Sequence, residues 1–239
     1  MASLFVTATD TGVGKTLITA LVVLKLRRLG VDCAFMKPFA TGCRWEGGEL
    51  VSDDVEFLRH ATGANDPVEL CNPVRLEPPL APLAVARLTG VSSAAWPDQC
   101  FEAFLELGRR HECVVVEGIG GLMVPLAKSP DLFTCRDLAS LWHLPLLLVA
   151  RRSLGTLNHT LLTREVEFNP GPDWRGLAFN DATPLATDDL AAATSPGLLA
   201  ELTGLPVWAQ VPHLEDLSRG TLEEWAERVE ISGWNFRPD

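Results

Sequence analysis

A short apolar, β-branched segment from Leu4 to Thr7 runs into Thr9-Asp10-Thr11-Gly12-Val13-Gly14-Lys15-Thr16. Leu17, Ile18, Leu21, Val22 and Leu24 then follow at helical spacing. Few folds accommodate that order. A strand, a glycine-bearing loop and a helix in direct succession bring free backbone N–H groups and the positive end of a helix dipole to one point, which makes an anion site. Gly12 and Gly14 supply backbone freedom, Lys15 a cation that can reach β and γ phosphates, and Thr16 a hydroxyl for Mg²⁺. Thr11 adds a second hydroxyl. The usual phosphate-loop pattern has Gly five positions before Gly14, and this chain has Thr9 there. Lys25, Arg27, Arg28 and Gly30 close the helix as capping requires.

Cys33 to Met36 reads as the next strand and forms, with the first, a right-handed βαβ unit. Further apolar strands at 113–116, 144–149, 176–180 and 205–212 alternate with helical patterns. These run from Ser52 or Asp53 through Leu58, over 80–89 and 97–109, and through Leu162. Such alternation predicts one α/β domain over residues 1–239, a three-layer, doubly wound, mostly parallel sheet with helices on both faces. Residues 41–51, rich in glycine and polar groups, read as a mobile loop. The stretch from Asn72 to Pro82, with four prolines, reads as an irregular connection, and 165–173 as a loop.

A net charge of −11 argues against a general nucleic-acid or anionic-membrane surface, but not against a nucleotide held locally. The six cysteines, at 33, 43, 71, 100, 113 and 135, form no C-x-x-C pair and read as reduced, buried thiols rather than zinc ligands or disulfides. The apolar run at 144–150 falls short of the ~20 residues that span a bilayer, and no basic leader follows Met1. A cytoplasmic protein is the expectation. There is no G-x-S-x-G and no Cys/His setting, so a covalent nucleophile is not expected.

The remaining chemistry gathers at strand ends. Glu117 directly follows an apolar strand, at the sheet edge where open α/β folds place ligands, and is a candidate Mg²⁺ ligand. Asp53 and Asp54 are further candidates, with helix capping as the competing role. Lys37 lies on the same edge as Lys15 and can meet a γ-phosphate or a developing carboxylate charge; Thr41 can bind a small polar substrate. Gly155-Thr156-Leu157-Asn158 is a second strand-to-helix junction, suited to a carboxylate or simply to capping.

In order along the chain, Thr9 to Thr16, Lys37-Pro38-Phe39-Ala40-Thr41-Gly42, Val116-Glu117-Gly118-Ile119-Gly120-Gly121, Leu154 to His159 and Phe179-Asn180-Asp181 resemble the dethiobiotin synthetase family. The resemblance covers about residues 4–215. It implies a P-loop NTPase-type fold with a seven-stranded sheet, a homodimer, and Mg²⁺- and ATP-dependent closure of 7,8-diaminopelargonate and CO₂ to dethiobiotin through a carbamate and a carbamic-phosphoric anhydride. It also implies that Thr11, Gly12, Val13, Gly14, Lys15 and Thr16 wrap the phosphates, with Thr11, Lys15 and Lys37 catalytic. Thr16, Asp53 or Asp54, and Glu117 correspond to Mg²⁺ ligands. Asn180, with Pro212 and Glu215, corresponds to the adenine site. Lys37, Thr41 and Gly118 correspond to the diamine site, and Gly155, Thr156, Leu157 and Asn158 to a carboxylate cup on the neighbouring subunit. Where that family often has E-P-x-S-P-H, this chain has Glu77-Pro78-Pro79-Leu80-Ala81-Pro82-Leu83, a more apolar wall.

Two other readings share the phosphate loop. A partitioning-type switch ATPase commonly carries a lysine near the loop start, which is missing here. A cobyrinate-type amide synthase carries a glutamine-hydrolysing domain, for which 239 residues leave no room.

Overall fold

The computed structural model describes residues 2–168 and 171–236; the predicted loop at 165–173 and the predicted domain ends at 1 and 237–239 therefore lie partly outside the described residues. The strands Ala2–Ala8, Cys33–Met36, Cys113–Glu117, Leu146–Ala150, Trp174–Asn180 and Val207–Val211 form one sheet. Every pairing in it is parallel. Its order is 207–211, 174–180, 146–150, 2–8, 113–117, 33–36. The expected seven strands are thus six among the described residues. The other short strands pair with one another instead: Phe39–Thr41 with Val74–Leu76, Arg44–Glu46 with Glu49–Val51, and Pro125–Lys128 with Leu132–Thr134.

The Ala2–Ala8 and Cys33–Met36 strands do not touch; the 113–117 strand lies between them, with Phe5 opposite Val116 and Met36 opposite Val116 from the other side. Its near-continuous apolar sequence fits that central, doubly covered position. After 113–117 the chain crosses the first strand and winds outward from 146–150 in the other direction. The reversal leaves a crevice at the carboxyl ends of the strands around Ala2–Ala8.

Alternation of side chains splits the core in two. Leu4, Val6, Ala8, Cys33, Phe35, Cys113 and Val115 face a cluster that includes Ile18, Leu21 and Leu58 from the helices Lys15–Arg28 and Asp53–Thr62. Phe5, Ala34, Met36, Val114 and Val116 face the opposite cluster with Phe104, Leu107 and Leu138, from the helices Trp96–Arg110 and Cys135–Leu141. Each fully buried Leu or Phe contributes about 1.5–3 kcal/mol of burial, which fixes strand register, since a one-residue slip would turn these sets inside out. All six cysteines are free and buried, as expected. No helix of the described residues is long and apolar enough to cross a membrane.

The segment read as a mobile loop holds a hairpin. Gly47 and Gly48 have φ of 60° and 90°, the doubly positive turn that joins two strands across two residues. The proline-rich stretch likewise contains the Val74–Leu76 strand, hydrogen-bonded to Phe39–Thr41 at the edge of the crevice.

Candidate nucleotide and substrate site

The crevice holds a cavity of about 530 Å³, lined by Thr11, Gly12, Gly14, Lys15, Thr16, Lys37, Thr41, Asp54, Glu117 and Asn180, with apolar walls from Phe57, Ile119 and Leu217. Gly14, at φ 95°, is the N-cap of the Lys15–Arg28 helix and offers no side chain to cap it. The first turn also lacks any acidic residue, so its N–H groups and dipole face the cavity without a competing anion. The buried Lys15 Nζ donates to the Asp10 carbonyl at 3.1 Å. Burial, with Lys37 adding to it, lowers its ammonium below the usual lysine range, although Glu117 pulls the other way.

At the centre stands Glu117, 1% exposed. Its Oε1 accepts from the Thr16 hydroxyl at 2.9 Å and from Lys37 Nζ at 2.5 Å. Its Oε2 is buried and has no partner. Lys37 Nζ also meets Asp54 Oδ2 at 2.7 Å. Burial alone would lower the Lys37 ammonium, but the Glu117 and Asp54 carboxylates outweigh it and hold it above the lysine norm. Burial likewise opposes the charge on Asp54, and Lys37 more than compensates, holding that carboxyl below its ordinary value. The Lys37 main chain is fixed too: its N–H donates to Cys71 O, and its carbonyl accepts from Asn72 Nδ2, both at 2.7 Å.

Asn180 closes the other end. Its Nδ2 donates to Val13 O at 3.1 Å, while its Oδ1 is buried without a partner. A Cβ on Gly14 would lie 2.1 Å from that Nδ2, so glycine is required where the loop and Asn180 touch.

Several expected positions fall elsewhere. Asp53 points outward, 83% exposed and ion-paired with Arg44 in the hairpin, because one residue along a helix turns the side chain by about 100°. Val13 packs its side chain in the core, and its carbonyl accepts from Asn180 Nδ2. Gly118 is buried against Phe5 and does not line the cavity. Pro212 and Glu215 line a neighbouring hollow of about 520 Å³ that shares Asp181 and His213 with the main cavity. Gly155 to Asn158 open the Thr156–Arg164 helix outside the cavity. Gly155 and Asn158 are solvent-exposed there, and Thr156 Oγ1 donates to Arg151 O. Phe57, not singled out as a site residue from the sequence, shares the cavity face with Asp54 three residues earlier, an i,i+3 relation that the sequence does carry.

Replacing Asp54 by Asn should raise the Mg²⁺ concentration needed for half-maximal nucleotide-dependent turnover at least tenfold. Replacing Asp53 by Asn should leave it unchanged, and loss of the exposed Arg44 pair should barely move a denaturant melt. A Mg²⁺ titration of both variants checks this; equal responses would contradict the assignment.

These features define a P-loop nucleoside-triphosphate-binding protein of the doubly wound α/β class, and comparison with known proteins narrows it. A family model described as an AAA domain matches residues 2–221. An ATP-dependent dethiobiotin synthetase of Thermodesulfovibrio yellowstonii is 37% identical, the match covering 94% of each chain. Another from Anaeromyxobacter dehalogenans is 41% identical over 92% of this chain and 93% of its own. Among solved structures, the cell-division protein FtsY of Thermotoga maritima superposes with a TM-score of 0.52 at 15% identity, over 95% of this chain and 67% of that one, a likeness of fold alone. The chain belongs to the ATP-dependent dethiobiotin synthetase family.

Proposed function

We propose that this chain closes the ureido ring of dethiobiotin from 7,8-diaminopelargonate, CO₂ and ATP, acting as one domain over its length in the cytoplasm. One observation carries the reading: the buried Glu117 shares one oxygen between Thr16 and Lys37 and keeps the other free, directly across from the phosphate loop. A hard dication suits an orphaned carboxylate oxygen beside a hydroxyl and a second carboxylate, so Thr16, Asp54 and Glu117 would hold Mg²⁺. When bound, the ion neutralises phosphate charge and polarises the transferred phosphoryl group.

The chain's own residues do the rest. The loop N–H groups and Lys15 hold the β and γ phosphates. An amine adds to CO₂ unaided, but the carbamate oxygen is a poor leaving group. Phosphorylation of that oxygen gives a carbamic-phosphoric anhydride and ADP. The second amine then attacks the carbonyl carbon and phosphate departs with the C–O bond electrons. Lys37, held charged by two carboxylates, lies where both the carbamate and the γ-phosphate carry negative charge. Thr41 and the apolar walls of Phe57 and Ile119 suit a diamine on a hydrocarbon chain. Holding the amine beside the anhydride can supply roughly 7–11 kcal/mol relative to a bimolecular attack.

The same reading makes the chain a homodimer whose partner supplies the carboxylate cup at Gly155 to Asn158. The free helix start there is flanked by Leu154, 90% exposed, an apolar side chain suited to cover by a second copy. The cytoplasmic setting is supported by the six free, buried cysteines.

With ATP, Mg²⁺ and bicarbonate present, phosphate release should depend on 7,8-diaminopelargonate and match dethiobiotin one to one. Phosphate release indifferent to the diamine would reject the reading.

A further inference from the structure

The strands Leu146–Ala150 and Trp174–Asn180 lie side by side, with Ala150 opposite Phe179. Their carboxyl ends therefore bring Arg152 against Asp181. Arg152 Nε lies 3.1 Å from both Asp181 oxygens, and Nη2 donates to Oδ2 as well. The Asp181 N–H donates to Val211 O at 3.0 Å, which anchors the residue beside Asn180. Asp181 lines the main cavity with Asn180 and the phosphate loop, yet its side chain is only 3% exposed because Arg152 lies against it.

The chemistry of that pair concerns the base. A carboxylate accepts two parallel N–H bonds from a flat donor, and a guanidinium is one such donor. The N1–H and 2-amino edge of guanine is another of the same shape. Adenine has no such edge, since its N1 accepts and its 6-amino group donates. A free carboxylate next to Asn180 would therefore hold guanine. Asn180, whose Nδ2 is committed to Val13 O, leaves one buried oxygen to accept from an amino group.

We infer that Arg152 is a specificity-determining residue: by occupying both oxygens of Asp181 it fills the donor site that a guanine base would take, and leaves Asn180 to read adenine. The inference rests on the reading that the Asn180 end of the cavity receives the base of ATP.

Equilibrium displacement of a fluorescent ATP analogue by ATP and by GTP tests it without diamine or bicarbonate, so it is independent of ring closure. In Arg152→Met the ratio of GTP to ATP dissociation constants should fall about tenfold or more. In Arg152→Lys the fall should be smaller, because a point charge leaves one oxygen free while keeping the pair's charge balance. In Arg152→Met with Asp181→Asn the ratio should return to that of the unaltered protein, since an amide presents a single acceptor.

A ratio unchanged within twofold in folded Arg152→Met overturns the proposal. Should that variant fail to fold, an unchanged ratio in Arg152→Lys overturns it equally. If the unaltered protein binds no ATP analogue at all, the nucleotide reading itself fails and this proposal with it, an outcome distinct from tight ATP binding with unshifted selectivity.

Discussion

Lys37→Met should lower turnover at saturating ATP and diamine by a factor of 10² to 10³, about what loss of one buried donor aimed at developing charge costs. Lys37 is 4% exposed, and its ammonium stands between Glu117 Oε1 and Asp54 Oδ2. Because those carboxylates hold its pKa above the lysine norm, it stays protonated through the neutral range, and no pH optimum near 7 should trace to it. The methionine variant leaves the buried Glu117 without its direct salt-bridge partner, so some stability goes too. A buried pair broken from one side costs up to about 3–5 kcal/mol, and less here because Asp54 is half-exposed. Steady-state kinetics beside a thermal melt and an ATP titration separate the effects. The expected pattern is a collapsed kcat with ATP affinity changed by less than about tenfold, since Lys15 and the loop remain. Turnover within twofold of the unaltered protein would return Lys37 to a structural role.

Gly14→Ala should weaken ATP binding by about 30-fold to 150-fold. The new Cβ would lie 2.1 Å from Asn180 Nδ2 and 2.7 Å from its Cγ, at a φ of 95°. Left-handed backbone costs roughly 1–2 kcal/mol for a residue with a Cβ. Displacing Asn180 forfeits its bond to Val13 O, about another 1 kcal/mol. The free loop would relax out of this pose and nucleotide would have to restore it, so those terms, about 2–3 kcal/mol together, are felt in affinity, where each 1.4 kcal/mol is about tenfold. Adding Asn180→Ala relieves the overlap but not the φ strain, so in a thermal melt the double variant should be no less stable than Gly14→Ala alone. Calorimetric titration of Gly14→Ala and melts of both variants check this; unchanged affinity in Gly14→Ala would contradict the contact between the loop and Asn180.

What the sequence makes legible here follows how local the determinant is. The phosphate loop is contiguous, so Gly12 to Thr16 can be read with their roles attached. Glu117 and Lys37 can be read because each ends an apolar strand, and parallel strands in one sheet deliver their carboxyl ends to one edge. Asp53 and Asp54 differ by a single helical step, and only the pose of the Asp53–Thr62 helix against the sheet decides between them. The insertion of the 113–117 strand between the first two is a matter of long-range pairing that no local pattern encodes. Two misses did have local signals. Gly47-Gly48 between Arg44-Trp45-Glu46 and Glu49-Leu50-Val51 is a hairpin turn, and the Leu190–Thr203 helix is Ala- and Leu-rich but is interrupted by Pro196, which reads as a breaker. The Arg152–Asp181 pair joins residues from neighbouring strand ends, and becomes visible only when 146–150 and 174–180 are adjacent.

The central claim is that this cavity transfers the γ-phosphoryl group of ATP to a carbamate oxygen. Isotope tracing tests it most directly. With ¹⁸O-labelled bicarbonate, ATP and 7,8-diaminopelargonate, in a reaction short enough to outrun exchange with water, the released phosphate should carry one ¹⁸O per dethiobiotin formed, because phosphate departs with the oxygen that came from CO₂. Dethiobiotin formed alongside unlabelled phosphate would mean that ATP is hydrolysed by water without phosphorylating the carbamate, and would contradict the account.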